Sequence, residues 1–172
     1  TDADTASTTV TNLADIAGTA ITLGDHASTD TLHAGTVTFN SAGAVVFSVD
    51  SATALAGTST ALSLDLDSTG AITDADTAST TVTNLADIAG TAITLGDHAS
   101  TDTLNAGTVT FNSAGAVVFS EDSATALAGT STAGSLDLDS TGAITDADTA
   151  STTVTNLADI AGTAITLGDH AS

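Results

Sequence analysis

Paired aspartates separated by one residue are the groups in this sequence best suited to do chemistry. They occur at five places: Asp2/Asp4, Asp65/Asp67, Asp74/Asp76, Asp137/Asp139 and Asp146/Asp148. Side chains two residues apart on a β-strand project from one face, and carboxylate oxygens are the ligands that calcium takes. A continued strand after Ile72 would point both aspartates to the side of Ile72, so a turn, which can wrap a cation, is favoured there. This pair and its copies are therefore the candidate calcium ligands: Asp2, Asp4, Asp74, Asp76, Asp146 and Asp148.

The charge balance provides an alternative interpretation of these pairs and excludes several partners. The chain has 21 acidic residues, no Lys or Arg, and a net charge of −21. Such a surface repels itself, so the aspartates could instead form a solvated coat that keeps molecules soluble and apart. Because phosphate binding needs Lys or Arg, nucleic acid and anionic membrane surfaces are excluded, and divalent cations are the natural partners. No apolar run approaches the ~20 residues that cross a bilayer, so we expect no membrane insertion.

Histidine and serine do not combine into a recognisable catalytic pattern. His26, His98 and His170 each follow the dipeptide Gly-Asp. A metal site needs further convergent ligands, and a Ser-His-Asp site needs a nucleophile held against a base; the sequence marks neither. We therefore expect the three histidines at exposed turns, no catalytic residue and no enzyme activity. No cofactor is required, and calcium is the one candidate.

The chain consists of near-identical internal repeats. The phrase TDADTASTTVTNLADIAGTAITLGDHAS begins at Thr1, Thr73 and Thr145, which divides the chain into repeat 1 (1–72), repeat 2 (73–144) and a partial repeat 3 (145–172). Repeats 1 and 2 differ at three positions only, which are His33/Asn105, Val49/Glu121 and Leu62/Gly134. Near-identical units of this kind extend an array in which each unit contacts its neighbours. We expect the chain to be a segment of a longer array.

Short strands separated by corners are the expected elements. Alternation of apolar and polar residues predicts strands at 19–23, 36–40 and 63–67, and Gly, Asp, Asn and Ser clusters predict turns at 23–26 and 40–43. Five-residue strands recurring in units of about 22 to 24 residues are typical of a parallel β-helix, whose coils stack ~4.8 Å apart. The predicted fold is thus an all-β solenoid with about three coils per repeat. The alternative is one small antiparallel β-sandwich per repeat, although sandwiches usually have ~100 residues and a bulky buried aromatic.

The Val49/Glu121 difference tests where the strands end. Counting in twos from Phe119 places Glu121 on the inward side if the strand continues, where an unpaired carboxylate is costly to bury. The sequence therefore predicts that the strand ends near Ser120, that Glu121 lies at a corner, and that Val49 is at least partly exposed.

Threonine runs at Thr9-Val10-Thr11, Thr36-Val37-Thr38 and Thr58-Ser59-Thr60 raise a further possibility. If aligned, they would form a flat hydroxyl and methyl array of the kind that binds ice. Their uneven spacing argues against a lattice match, and Thr is also a good strand residue.

The amino-acid sequence of the repeat resembles repeats of very large bacterial surface proteins related to filamentous haemagglutinins and repeat adhesins. The resemblance covers nearly the whole chain and is carried best by residues 119–125 (FSEDSAT), 127–129 (LAG) and 135–144 (SLDLDSTGAI). It implies an exported protein that forms a β-solenoid stalk in adhesion or cell-surface structure. It transfers no functional residue, and the Gly-Gly-x-Gly-x-Asp calcium motif of repeat toxins does not occur in the chain.

The sequence therefore predicts a structural protein at the bacterial cell surface: a filament, stalk or adhesin shaft that associates with further repeats or identical subunits. A calcium-dependent adhesion or binding module is the alternative, and an ice-binding array is the minor one.

Overall fold

The protein folds as a parallel β-solenoid of about seven coils, as the sequence predicts. The computed structural model describes residues 1–3, 5–24, 29–98 and 101–168. Within these residues there are strands and no helices, and so no helix long and apolar enough to cross a membrane. The strands are β1 (Ser7–Gly18), β2 (Ile21–Leu23), β3 (Thr31–Ser41), β4 (Ala44–Val49), β5 (Thr53–Leu55), β6 (Thr58–Ala61), β7 (Ser63–Ser68), β8 (Ile72–Asp74), β9 (Ser79–Ala89), β10 (Ile93–Leu95), β11 (Thr103–Asn112), β12 (Ala116–Glu121), β13 (Thr125–Leu127), β14 (Thr130–Ala133), β15 (Ser135–Ser140), β16 (Ala143–Asp146), β17 (Ser151–Val154), β18 (Ala158–Ala161) and β19 (Ala164–Thr166).

Two stacks of strands form the body of the solenoid. Face A consists of β1, β3, β5, β8, β10, β12, β15 and β18, paired in that order. Face B consists of β2, β4, β7, β9, β11, β13, β16 and β19, also paired in order. The strands β6, β14 and β17 pair along the edges between the faces. All these pairings are parallel, which excludes the antiparallel sandwich.

The two faces pack against each other across a narrow apolar core. In β7, Leu64 and Leu66 point inward and are buried, whereas Asp65 between them is exposed, which confirms the predicted alternation. Phe39 on face A meets Phe47 on face B with ring centroids 5.9 Å apart in an edge-on arrangement. Such aromatic contacts add to the stabilisation that burial provides. Each face thus contributes one layer of side chains to the core. A core this thin is filled by aliphatic residues with few aromatic ones.

The coils differ in length because their corners differ. Along face B, Ile21 pairs with Val45, Val45 with Leu64, and Leu64 with Ala86, so that successive coils advance the sequence number by 24, 19 and 22. These three coils end at Ala86, before the chain reaches Ile93, the copy of Ile21 in repeat 2. The repeat therefore holds about three coils, as predicted, together with part of a fourth.

Side-chain to backbone hydrogen bonds make the corners, as the turn composition predicts. At the 40–43 turn, the Ser41 Oγ accepts a hydrogen bond from the Gly43 N–H at 3.1 Å. At the 23–26 turn, Gly24 has φ = 73°, a left-handed conformation that glycine adopts at little cost. Residues 25–28 of that turn lie outside the described residues.

The three threonine runs do not stack on one another. Thr9 pairs with His33, Thr36 with Leu13 and Ala54, and the run in β6 pairs with Asn40 below and with β9 above. The aligned hydroxyl array that ice binding would require is therefore not formed by these three runs.

Candidate functional site

The first aspartate of each candidate calcium pair forms a hydrogen bond to a corner of the next coil. Its Oδ2 atom accepts a hydrogen bond from a glycine N–H 22 residues further along, at 2.8 to 2.9 Å. The three pairs are Asp2 with Gly24, Asp74 with Gly96, and Asp146 with Gly168. All three glycines have left-handed φ angles, between 71° and 75°. These candidate calcium ligands thus have a structural role that sequence reasoning missed.

Asp74 also interacts with a second acidic residue, Asp102. Asp102 is buried, and its equivalent in repeat 1, Asp30, is buried too. Burial raises the pKa of Asp74 to about 6, the Gly96 N–H opposes this rise, and the neighbouring Asp102 carboxyl adds to it. Desolvation and a neighbouring carboxyl group both favour the neutral form of Asp74. The only sequence signal for this partner is that Asp30 and Asp102 recur with the repeat.

The second aspartates of the turn pairs lie elsewhere. Asp76 and Asp148 are exposed in the turns that follow β8 and β16, and Asp4 lies outside the described residues. The turn predicted after Ile72 is confirmed only in part, because β8 continues through Asp74. Among the residues that the structure describes, no three His, Asp or Glu side chains come together as metal ligands would. Calcium binding by Asp2, Asp4, Asp74, Asp76, Asp146 and Asp148 therefore stays a prediction from sequence.

The strand-borne pairs form acidic patches on the outside of the solenoid. On face B, Asp65 pairs with Asp87 across adjacent strands, and Asp67 lies beside them in β7. Burial raises the pKa of Asp65 and of Asp87, and repulsion from the neighbouring aspartates raises both further. On face A, Asp137 pairs with Asp159 in the same manner.

Glu121 is the most deeply buried ionisable side chain that the structure describes, and its predicted corner position is wrong. The strand β12 ends at Glu121, close to the predicted end near Ser120, but Glu121 is still part of the strand and points inward. Its side chain is 0% exposed, as is that of Val49 in repeat 1, which the sequence predicts to be at least partly exposed. Its Oε2 accepts hydrogen bonds from the Ala106 N–H at 3.1 Å and from the Ser123 hydroxyl at 3.3 Å, while Oε1 has no hydrogen-bond partner. The prediction failed because it assumed that the carboxyl would be ionised and unpaired.

The environment of Glu121 favours its neutral form. Burial raises its pKa to about 7, and although the two hydrogen bonds and nearby His98 lower it, repulsion from Asp122 adds to the rise. Proton uptake removes the charge that makes burial costly. The same position therefore accepts valine in one repeat and glutamate in the next.

His98 bridges two neighbouring strands of face A, β12 and β15. The exposed ring has its Nε2 3.1 Å from the Glu121 carbonyl oxygen and its Nδ1 3.3 Å from Oδ2 of Asp139. Partial desolvation alone would lower the pKa of His98, but these hydrogen bonds and the charges of Asp139 and Asp122 raise it. A carbonyl and a carboxylate both accept, so the doubly protonated ring satisfies both contacts. The exposed position of His98 is confirmed; His26 and His170 lie outside the described residues.

In the last coil, apolar side chains are exposed whose copies in the same local sequence of repeat 2 are buried. Ile93 is 0% exposed and Leu95 2%, whereas their copies Ile165 and Leu167 are 48% and 38% exposed. Strand β10 is covered by β12, whereas β19 has only β16 as a partner in the part of the chain that the structure describes. Burial of the repeat thus depends on the coil that follows it.

No protein-family model, characterised protein or solved structure matches this chain. Its function is therefore inferred from the fold and the sequence.

Proposed function

We propose that the protein is a structural segment of an extracellular bacterial filament, stalk or adhesin shaft, in which near-identical β repeats stack end to end. The observation that carries this proposal is the contrast between Ile93, fully buried, and its copy Ile165, 48% exposed. Because the two residues share one local sequence, only the covering coil differs. A chain that buries the apolar residues of one repeat under the next repeat is suited to form a long array rather than a closed binding site.

The surface is consistent with a mechanical role. The outward side chains of the faces are mainly Thr, Ser, Ala and Asp, and the net charge of −21 repels other copies laterally. Along the axis, by contrast, each coil pairs with the next through parallel strands, as β10 does with β12. These properties support growth along the axis through further repeats or identical subunits. The resemblance of the repeat wording to bacterial surface proteins supports location outside the cell.

Arrays of increasing repeat number test the structural part of this proposal. Chains with two, three and four complete repeats should give particles of one width that lengthen by a constant increment in electron micrographs. The free energy of unfolding should rise with each added repeat, because each adds an interface. Beads of constant size joined by gaps would refute the proposal.

Immunogold labelling of intact and permeabilised cells tests the location separately. Labelling of intact cells at the same density as permeabilised ones is expected. Signal confined to permeabilised cells would refute the extracellular assignment while leaving the stacking argument intact.

Calcium dependence remains the alternative prediction, and a titration distinguishes it. An ordered site should give a saturable rise in Tm with calcium and little response to an equal magnesium concentration. Equal responses to both cations would indicate screening of the acidic surface alone.

A further inference from the structure

Strand pairing fixes how successive repeats are oriented around the axis. Ile21 in β2 belongs to face B, and its copy in repeat 2, Ile93 in β10, belongs to face A. The next copy, Ile165 in β19, belongs to face B again. The same exchange holds for the other strands of repeat 1: β3, β5 and β8 are on face A and their copies β11, β13 and β16 are on face B.

This exchange requires a half turn per repeat. The face B stack has seven steps from β2 to β19, which connect Ile21 to the strand of Ile165, two repeats further along. Two repeats thus correspond to seven coils, and one repeat to three and a half. The step from one repeat to the next exchanges the two faces, and two such steps return each strand to its original face. Each step is therefore a half rotation about the solenoid axis combined with an advance along it.

We infer that the array is two-sided, so that the surface features that the repeats share recur on the opposite face in the next repeat. This inference rests on strand register and goes beyond the proposed function. The acidic patches illustrate it. Asp65 lies on face B with Asp87, whereas its copy Asp137 lies on face A with Asp159. The packing of Phe39 against Phe47 across the core shows that these faces point away from each other.

The half turn sets the spacing at which equivalent residues recur along the array. At ~4.8 Å per coil, equivalent residues on one face recur only every seven coils, or ~34 Å, while copies on the two faces alternate every ~17 Å. A rigid, flat partner meets each motif at half the density that the sequence period suggests.

Distances between spin labels test this arrangement directly, because the chain contains no cysteine of its own. The test pair is Asp65→Cys with Asp137→Cys, both exposed and related by the repeat. The control pair is Asp65→Cys with Ala128→Cys. Ala128 lies on the Asp65 side of face B, three coils along, through Asp87 and Thr110.

The two pairs have similar axial separations, ~17 Å and ~14 Å, from the coil spacing. Because Asp137 lies on the opposite face, the test pair is also separated across the core by ~10 Å, the usual separation of stacked sheets, so its distance should be at least ~20 Å against ~14 Å for the control. Pulsed electron paramagnetic resonance measures both distances, with circular dichroism confirming that each variant is folded. Equal distances within the width of the distributions would place the copies on one face and overturn the inference. Failure of the proposed location outside the cell would not affect this result.

Discussion

Replacing Glu121 with valine, the residue that repeat 1 has at this position, should stabilise the solenoid at neutral and alkaline pH. The substitution introduces no new geometry, since Val49 is fully buried at the equivalent place. It removes a carboxyl group that is 0% exposed and that must either hold a proton or carry a buried charge. The stabilisation should therefore depend strongly on pH.

The magnitude follows from the difference between the folded and unfolded pKa. Burial raises the pKa of Glu121 from 4.5 to about 7. Each pKa unit is worth ~1.4 kcal/mol, so ionisation of this one group costs about 3 kcal/mol of stability. Because the folded chain holds this proton more tightly than the unfolded chain, the contribution of Glu121 to stability is greatest below about pH 4.5. It falls as the pH rises to about 7 and is level above that.

Urea denaturation followed by circular dichroism between pH 4 and pH 9 measures this effect. Urea is preferable to guanidinium chloride, because a salt would screen a net charge of −21. The difference in unfolding free energy between Glu121→Val and the parent chain should grow by about 3 kcal/mol from pH 4 to pH 9. The m-values must match, because a change in m would indicate a different unfolding unit in a repeat array.

Two further variants isolate the carboxyl group. Glu121→Gln retains an acceptor for the Ala106 N–H but cannot ionise, so its pH dependence should be as weak as that of the valine variant. Val49→Glu should introduce the same pH dependence into repeat 1, where Ala34 and Ser51 occupy the places of Ala106 and Ser123. If the parent, Glu121→Val and Glu121→Gln all show the same pH profile, the reasoning about the buried carboxyl is refuted.

Three further predictions use copies within the chain as controls. Ile93→Ala should cost ~2–5 kcal/mol of stability in urea denaturation, whereas Ile165→Ala, in the same local sequence at the uncovered end, should cost less than ~1 kcal/mol; similar costs would contradict burial by the following coil. Gly96→Ala should destabilise by more than Gly168→Ala, because both have left-handed φ but only at Gly96 would a Cβ lie 2.1 Å from the Ser120 carbonyl oxygen; equal losses in Tm would contradict the close approach. Asp74→Asn keeps an acceptor for the Gly96 N–H and removes a group of pKa about 6, so it should raise Tm above pH 6 and change it little at pH 4; a lower Tm at pH 8 would show that the charge itself stabilises the corner.

The fold was predictable because the repeat and the strand alternation are both visible in the sequence. Leu64 and Leu66 flank Asp65 in a pattern that a solenoid face explains directly, and the parallel coil follows from strand spacing. The extra half coil was not predictable, because the unequal advances along face B, from Ile21 to Val45 and from Val45 to Leu64, depend on how each corner closes. Composition indicates that a corner exists but not how long it is.

The candidate site was harder to predict, since its chemistry depends on the protonation state of buried groups. A pattern of Asp74 and Asp76 resembles a cation site, yet Asp74 bonds to a glycine one coil away and meets Asp102 from a distant part of the repeat. Glu121 fits the inward pattern from Phe119, and only the assumption of a fixed charge moved it to a corner. Sequence periodicity identifies which side chains point inward, whereas three-dimensional contacts determine whether a carboxyl there is charged.

Five ionisable groups of this solenoid respond to pH in one direction, and the absence of cationic side chains contributes to this. In most proteins Lys and Arg lower the pKa of nearby carboxyl groups, and acid unfolds the chain by removing those ion pairs. This chain has no Lys or Arg, and the pKa values of Asp65, Asp74, Asp87 and Glu121 are all raised by burial and mutual repulsion. The pKa of His98 is raised as well, by carbonyl and carboxylate partners. A raised pKa means that the folded state binds protons more tightly than the unfolded state, so each of these five groups stabilises the coil stack as the pH falls from neutrality. The same composition that forces acids to neighbour acids therefore makes mild acid a stabilising condition for the solenoid.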